Sequence, residues 1–546
     1  FELLNALTTA IGALCLNEAG LHHMTSQPIV PHVLRVLTDE RYHRVLLDRD
    51  NANIFGTAVD ELVRHHPSLK EGVQTELVHL LDGLVAMGQA FSPPTEPAAR
   101  ALYELPSSGD AVSPQPISTA ELVLDEPDQT VPEPVPGDAN APVASFDVLC
   151  RFLEGFFRNA ALCRDFMRSG SLARLLAFLS TPCIPYHFGT STPADSLVML
   201  LRTMVEESPS TVLSALLRDV HQSMTEIASP MLALLEPHAP ELQPRFRTWV
   251  RLHTRLHVLT DVCETFVQSF MFPNASTKVP LALFRALSEG GDVATLAQLG
   301  QLVRMCVWEH LRVKAALRGR DLSSHAGVTA VQYMAVRMQA SLQALLSVVA
   351  RLLTPKRHMD AEFARVSAAT TDQMARALRA WQAKRSDASP GDTLGEHTYL
   401  YLMLAHLLYD RRPTHAMHAH TMLLHAWVEQ GGDAALGSQL HELLPHLEHD
   451  VSDDETSVGA HAVCTLRAYL DLYARLLQAR PLLDAPQTTH LTRDAPSAPH
   501  RLLVELRARA LDVLEPLWQA PWLAKLPLSP VRMTGQALGL ILQTDR

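Results

Sequence analysis

The sequence predicts an all-α protein. Leu and Ala dominate, and the alternating Val/Ile/Thr runs that mark strands are almost absent. Apolar residues recur instead at i, i+3 and i+4, the spacing of one helix face. Proline is frequent and glycine is not (36 against 24), so proline serves as punctuation between helices. With 546 residues, 47% of them apolar, the chain can bury substantial cores and is too long for one compact domain.

Residues 1–91 read as a first helical block, with segments Leu3–Leu21, Ile29–Leu37, Asn51–Leu69 and Val73–Gly88. In the third segment Ile54, Phe55, Val59, Leu62 and Val63 form an apolar stripe, and Pro67 ends it. Asp60, Glu61, Arg64 and His65 occupy the other face, where Asp60 and Arg64 have the spacing of an i, i+4 ion pair. Taken alone, this is a capped surface helix. Residues 92–145 read as an acidic, Pro-rich disordered linker with eleven prolines, nine acids and one base. Such a stretch buries too little apolar surface to offset its ordering entropy. Tyr103 and Leu122-Val123-Leu124 are exceptions able to dock transiently.

A second helical block spans 146–384, and further helical repeats fill 385–546, with polar loops near 385–396, 450–458 and 485–499. The block opens with Leu149, Phe152, Leu153, Phe156 and Phe157 at i, i+3, i+4, i+7 and i+8. Leu172, Leu175, Leu176 and Leu179 form the next stripe, and Gly170 supplies the sharp turn between them. Asn159, a short helix, Gly170 and a Leu-rich helix together have the rhythm of an armadillo repeat, which Asn17 to Leu37 follows loosely. Ser208-Pro209 and Thr354-Pro355 start further helices, the second running to about Lys384. Helix pairs that cannot bury their apolar faces alone must stack. The predicted architecture is therefore an irregular α-solenoid of armadillo/HEAT-like helical repeats.

Several function classes are excluded. Of a formal charge of −12, −8 lies within 92–145, and no Lys/Arg stripe marks a nucleic-acid groove elsewhere. No apolar run reaches the roughly 18 residues that a membrane helix needs. Seven scattered cysteines with no CxxC pair read as reduced core thiols of a cytosolic or nuclear protein. His415, His418, His420 and His425 cluster without an acid to complete a site. His441-Glu442 precedes His446 at i+5, with Pro445 expected to break the helix, so zincin geometry fails. No phosphate loop or nucleophile elbow occurs, and no catalytic, cofactor or metal residue is nominated. The first residue is Phe1, already mid-helix in character, and the last stretch, 538–546, is still apolar in its final full turn. Both predict a piece of something longer.

Three strings carry a family resemblance. Gly56, Asp60-Glu61-Leu62, Arg64-His65 and Pro67-Ser68-Leu69 resemble a signature in the N-terminal armadillo-like region of giant HECT-type E3 ubiquitin ligases, the HUWE/UPL group and its fungal counterparts. Phe152-Leu153-Glu154, Asn159, Cys163-Arg164, Gly170 and Ile184-Pro185-Tyr186-His187-Phe188 resemble a second string. There the last five usually read Leu-Pro-Tyr-Asp-Phe, and His187 replaces the acid. The tail from Leu517-Trp518 through Pro521-Trp522 to Leu542 is similar to the end of that region, while 230–510 is supported by helical texture alone.

The resemblance implies a non-catalytic arm that recognises protein substrates and acts as a scaffold. Ubiquitin and E2 would be engaged through a C-terminal HECT domain, whose Cys thioester lies outside this chain, in the cytoplasm or nucleus. None of the seven cysteines sits in a HECT-like Thr-Cys loop. Asp60, Glu61, Arg64 and His65, the polar residues of the best-matching string, are the candidate partner-binding residues. The alternative is a stand-alone armadillo-like protein-binding adaptor or transport factor. A helical hydrolase with a His/Asp metal centre fails on ligand spacing.

Overall fold

A computed structural model of the chain describes residues 1–91, 140–227, 242–269, 427–448, 458–477 and 498–521, with scattered positions between 278 and 424 and at 523. The sequence predictions for 92–139, for the Thr354-Pro355 helix start, for His415 to His425 and for 538–546 lie outside the described residues. Every regular element among the described residues is a helix, and the chain is an all-α, irregular solenoid of helical repeats.

The first block holds α1 (Glu2–Leu14), α2 (Glu18–Ser26), α3 (Ile29–Leu34), α4 (Glu40–Leu46), α5 (Asn51–His65) and α6 (Lys70–Ala90). Local chemistry sets the boundaries. Asn17 accepts from the Gly20 amide at 2.6 Å and Asp39 from the Arg41 amide at 3.1 Å, each satisfying a donor that the first helical turn leaves free. Between α5 and α6 the chain makes one tight 3-10 turn, Pro67–Leu69, with Pro67 pre-set for its first position.

The second block holds α7 (Ala141–Phe156), α8 (Ala160–Arg168), α9 (Ser171–Phe178), α10 (Thr192–Glu207), α11 (Pro209–Ile227) and α12 (Leu242–Ser269). Helix α7 begins at Ala141, not at 146, so the end of the predicted linker is helical. Asn140 and Pro142 are the reason. The Asn140 carboxamide accepts from the Val143 amide at 3.1 Å and donates to the Cys183 carbonyl at 2.8 Å, while Pro142 sits in the first turn, where no amide proton is needed. Asn159 caps α8, and Gly170, with φ 78°, takes the left-handed conformation that joins α8 to α9.

The two blocks share one hydrophobic core. Among the described residues, helix α5 packs on α7 more extensively than any other pair of helices, and this contradicts the surface-helix prediction for Asn51–Leu69. Its helical stripe is also wider than predicted. Ala52, Phe55, Gly56, Val59, Asp60, Leu62 and Val63 are buried, whereas Ile54 is 44% exposed. Glycines make the approach possible. A Cβ on Gly56 would stand 2.0 Å from the Phe152 carbonyl oxygen, and one on Gly155 would stand 2.0 Å from that of Asn53. Aromatic rings continue the contact: Phe55 lies 5.3 Å from Phe152, then Phe156, Phe157 and Phe166 follow at 5.9, 5.8 and 5.0 Å between successive centroids.

Several buried polar groups in this core pair across helices. Asp147 accepts from Ser196 at 2.6 Å and from Arg151 at 2.8 Å, joining α7 to α10. The Arg255 fork on α12 reaches Asp219 at 2.6 Å, Ser180 at 2.5 Å and Ser223. A cation buried this deeply needs such partners, because desolvation would otherwise dominate.

Further along, α13 (Gly432–Glu448) packs on both α14 (Val458–Leu476) and α15 (Ala498–Gln519). The Tyr469 hydroxyl donates to the Leu436 carbonyl at 2.9 Å, and Arg509 pairs with the buried Asp433. Pro445 does not break its helix as predicted, since α13 runs through it to Glu448. So close to the helix end, the backbone has few further hydrogen bonds to lose.

Candidate functional site

The predicted partner-binding residues divide into two groups on α5. Glu61, Arg64 and His65 are exposed, and Arg64 Nη2 lies 3.6 Å from Glu61 Oε1. Asp60 turns inward and is 4% exposed, which removes it from the polar face and from the expected pair with Arg64. Its Oδ1 has no hydrogen-bond partner. Burial pushes the Asp60 carboxyl above its ordinary range, with Arg64 and Arg158 pulling the other way. The structure thus brings Glu61, Arg64 and His65 to one solvent-facing patch and leaves Asp60 beneath it. Such a patch can make charge contacts with another protein surface and has no arrangement for bond-making chemistry.

The thiols point the same way. Cys15, Cys150, Cys163, Cys183 and Cys263 are buried and unpaired. Burial pushes Cys163 and Cys263 up to about 12 and Cys183 to about 11, and raises Cys15 and Cys150 as well. Thiols so protonated are poor nucleophiles at neutral pH.

The string Ile184–Phe188 leads to a cleft that local sequence patterns do not single out. Tyr186, 2% exposed, packs edge-on against Tyr333 with centroids 5.3 Å apart, and a 3-10 turn, Phe188–Thr190, follows it. His187 has its Nδ1 buried without a partner, and burial lowers its pKa. Between that turn, α12 and the side chains of Tyr333, Arg337, Ala340, Ser341 and Ala344 lies a cleft of about 170 Å³. On α12, His253, His257 and Asp261 recur at i, i+4 and i+8 and so line one wall, a spacing legible in the sequence. His257 Nδ1 lies 2.7 Å from Asp261 Oδ2, within ion-pairing distance though off-axis for a hydrogen bond. No three His, Cys, Asp or Glu side chains converge as a metal site among the described residues. Among those residues, no helix is long and apolar enough to cross a membrane.

Known proteins place the chain. Residues 1–187 match the family described as Domain of Unknown Function (DUF913). The E3 ubiquitin-protein ligase ptr1 of Schizosaccharomyces pombe is 32% identical over 92 residues, covering 17% of this chain and 3% of that protein. The E3 ubiquitin-protein ligase HUWE1 of Mus musculus is 25% identical over 245 residues, covering 37% of this chain and 5% of its own length. An E3 ubiquitin-protein ligase TOM1-like protein of Neurospora crassa is 19% identical over 614 residues and matches 95% of this chain with 15% of its own. The chain therefore spans only a small part of the length of these relatives. With a DUF913 match over residues 1–187 and a similarity that runs nearly end to end, the chain resembles the N-terminal region of the giant HECT-type E3 ubiquitin-protein ligases.

Proposed function

We propose that this chain is the non-catalytic substrate-recognition and scaffolding arm of a HECT-type E3 ubiquitin ligase. The observation that carries the reading is the α5–α7 crossing. It joins the two blocks into one core and holds the exposed Glu61, Arg64 and His65 in fixed positions on a rigid helix. Stacked helices present long surfaces to protein clients, and a client held there has a raised effective concentration at a thioester elsewhere in the same polypeptide. The transfer of ubiquitin to a client lysine would be performed by a HECT Cys outside residues 1–546, where E2 and ubiquitin are engaged. The protonated, buried thiols described above support that division of labour.

In this reading the arm works in the cytoplasm or nucleus, where its thiols stay reduced. The reading frame beyond the codon for Arg546 provides the test. We expect it to run on to a HECT domain with its Thr-Cys loop. A stop codon shortly after Arg546 would overturn the ligase reading in favour of a free-standing adaptor.

A further inference from the structure

Two polar groups that line the cleft beside α12, His253 and Arg337, leave hydrogen-bonding capacity unused. His253 is 1% exposed, and neither of its ring nitrogens has a partner. Burial drives its pKa down to about 3, so the ring is neutral and offers one donor and one acceptor. Arg337 is half-buried, its guanidinium stands 5.5 Å from the centroid of the Tyr333 ring, and its Nε has no acceptor. No carboxylate among the described residues pairs with it, although a guanidinium is always charged. Ser341 and Tyr333 add hydroxyls to the same walls. Native interiors rarely leave buried donors and a cation unanswered, and here they converge on an open volume of about 170 Å³.

The inventory is rich in donors and short of acceptors. The acid in the lining, Asp261, lies 2.7 Å from His257 Nδ1, and the nearby exposed Asp195 adds a second carboxylate. Arg337 brings one positive charge to this cleft, with its Nε unpaired. A phosphate dianion would be over-charged beside Asp195 and Asp261, whereas a planar monoanion matches the guanidinium fork. We propose that this cleft binds a carboxylate through Arg337, with His253 as a second donor. The carboxylate comes from an acidic residue of a protein client or from a small free carboxylic acid. The site lies outside the DUF913 match and does not depend on the ligase reading.

Calorimetric titration of the 546-residue chain tests this with three probes: the monocarboxylate butyrate, the blocked tripeptide N-acetyl-Gly-Glu-Gly-amide, and its Gln counterpart. Saturable binding of butyrate or of the Glu peptide is expected, and none of the Gln peptide. Tighter binding of the Glu peptide assigns a client residue, and tighter binding of butyrate assigns a free acid. Arg337→Gln should weaken the bound probe by at least ~10-fold, and Arg337→Lys should fall between, because an ammonium cannot form the fork. Circular dichroism checks that Arg337→Gln keeps its helix content; if it does not, the affinity of Arg337→Lys is the deciding measurement. Failure of both carboxylates to saturate, equal binding of the Gln peptide, or unchanged affinity in the Arg337 variants would overturn the proposal.

Discussion

Gly56 and Gly155 close one helix crossing from opposite sides, each lying against the backbone of the other's helix where no side-chain atom fits. A Cβ at either position would come within 2.0 Å of a carbonyl oxygen, and main chain cannot swing aside as a side chain can. Gly56→Ala should therefore destabilise the chain by about 3 kcal/mol or more. Gly83→Ala, at an exposed position of α6 with nothing within 4 Å, should instead stabilise by roughly 0.4–1 kcal/mol. Urea midpoints of the two variants check the pair. A Gly56→Ala chain as stable as its parent would mean that the helices are not this close.

Asp60→Asn should stabilise the fold at pH 7 by a few tenths to about 1 kcal/mol, because it removes a buried carboxylate with an unpaired oxygen. The folded pKa of Asp60 is raised, so its penalty exists above that pKa and is relieved as pH falls through it. The gain from Asn should accordingly vanish below the ordinary value of 3.8. Thermal melts at pH 7 and pH 3.5 would reveal it. A loss of stability at pH 7 would show that the charge pairs with Arg64 and Arg158 outweigh burial.

Arg64→Glu should leave folding intact. Its partner Glu61 is 3.6 Å away and both side chains are more than half exposed, a pair contributing at most about 0.5 kcal/mol. Under the proposed function the reversal weakens client ubiquitination by the whole ligase, read as the ratio of client to self-modification. An unaltered ratio removes this face from client binding, and a collapse in helicity makes Arg64 structural.

Acidification should destabilise the chain through its buried histidines. Burial holds His43, His187 and His253 below the ordinary 6.5, His253 at about 3. The unfolded chain takes up these protons first, so the stability they confer is complete above pH 6.5 and declines as pH falls towards the folded values. From pH 7.5 to 5.5 His253 alone should account for about 1.4 kcal/mol. Denaturant titrations of the parent and His253→Gln at both pH values isolate that share, and equal pH slopes would refute it.

Brief alkylation with iodoacetamide at pH 7.5 should leave Cys15, Cys150, Cys163, Cys183 and Cys263 unmodified in the native chain and label all five in denaturant. Peptide mass mapping gives the answer. Fast native labelling of any of these five would contradict their burial.

Much of this architecture is legible in local spacing. The Leu149 to Phe157 stripe, the Asn17 and Asn159 caps and the Gly170 turn each follow from residues within one or two helical turns, and all are found in place. What escapes local spacing depends on distant partners. Nothing within Asn51–His65 says that Gly56 meets α7, or that covering the helix on two sides turns Asp60 inward. Pro445 departs from expectation because a proline's breaking power depends on how much helix remains beyond it. In the cleft, the His253, His257 and Asp261 spacing is visible, yet it gains meaning only from Tyr333 and Arg337, which arrive from far along the chain.

The contacts that bracket residues 92–139 carry one more consequence. His43 meets Ser145 at 2.9 Å, Arg174 reaches Asp82 at 2.9 Å, and Lys70 pairs with Asp165, so the halves on either side grip each other directly. The length of the connection between them matters little, since doubling it costs only about 0.6 kcal/mol of closure entropy. Two separately made polypeptides divided there should find each other and rebuild the same array. Over evolutionary time the connection is free to lengthen, shorten or acquire a cleavage site, whereas residues facing one another across the seam are bound to change in pairs.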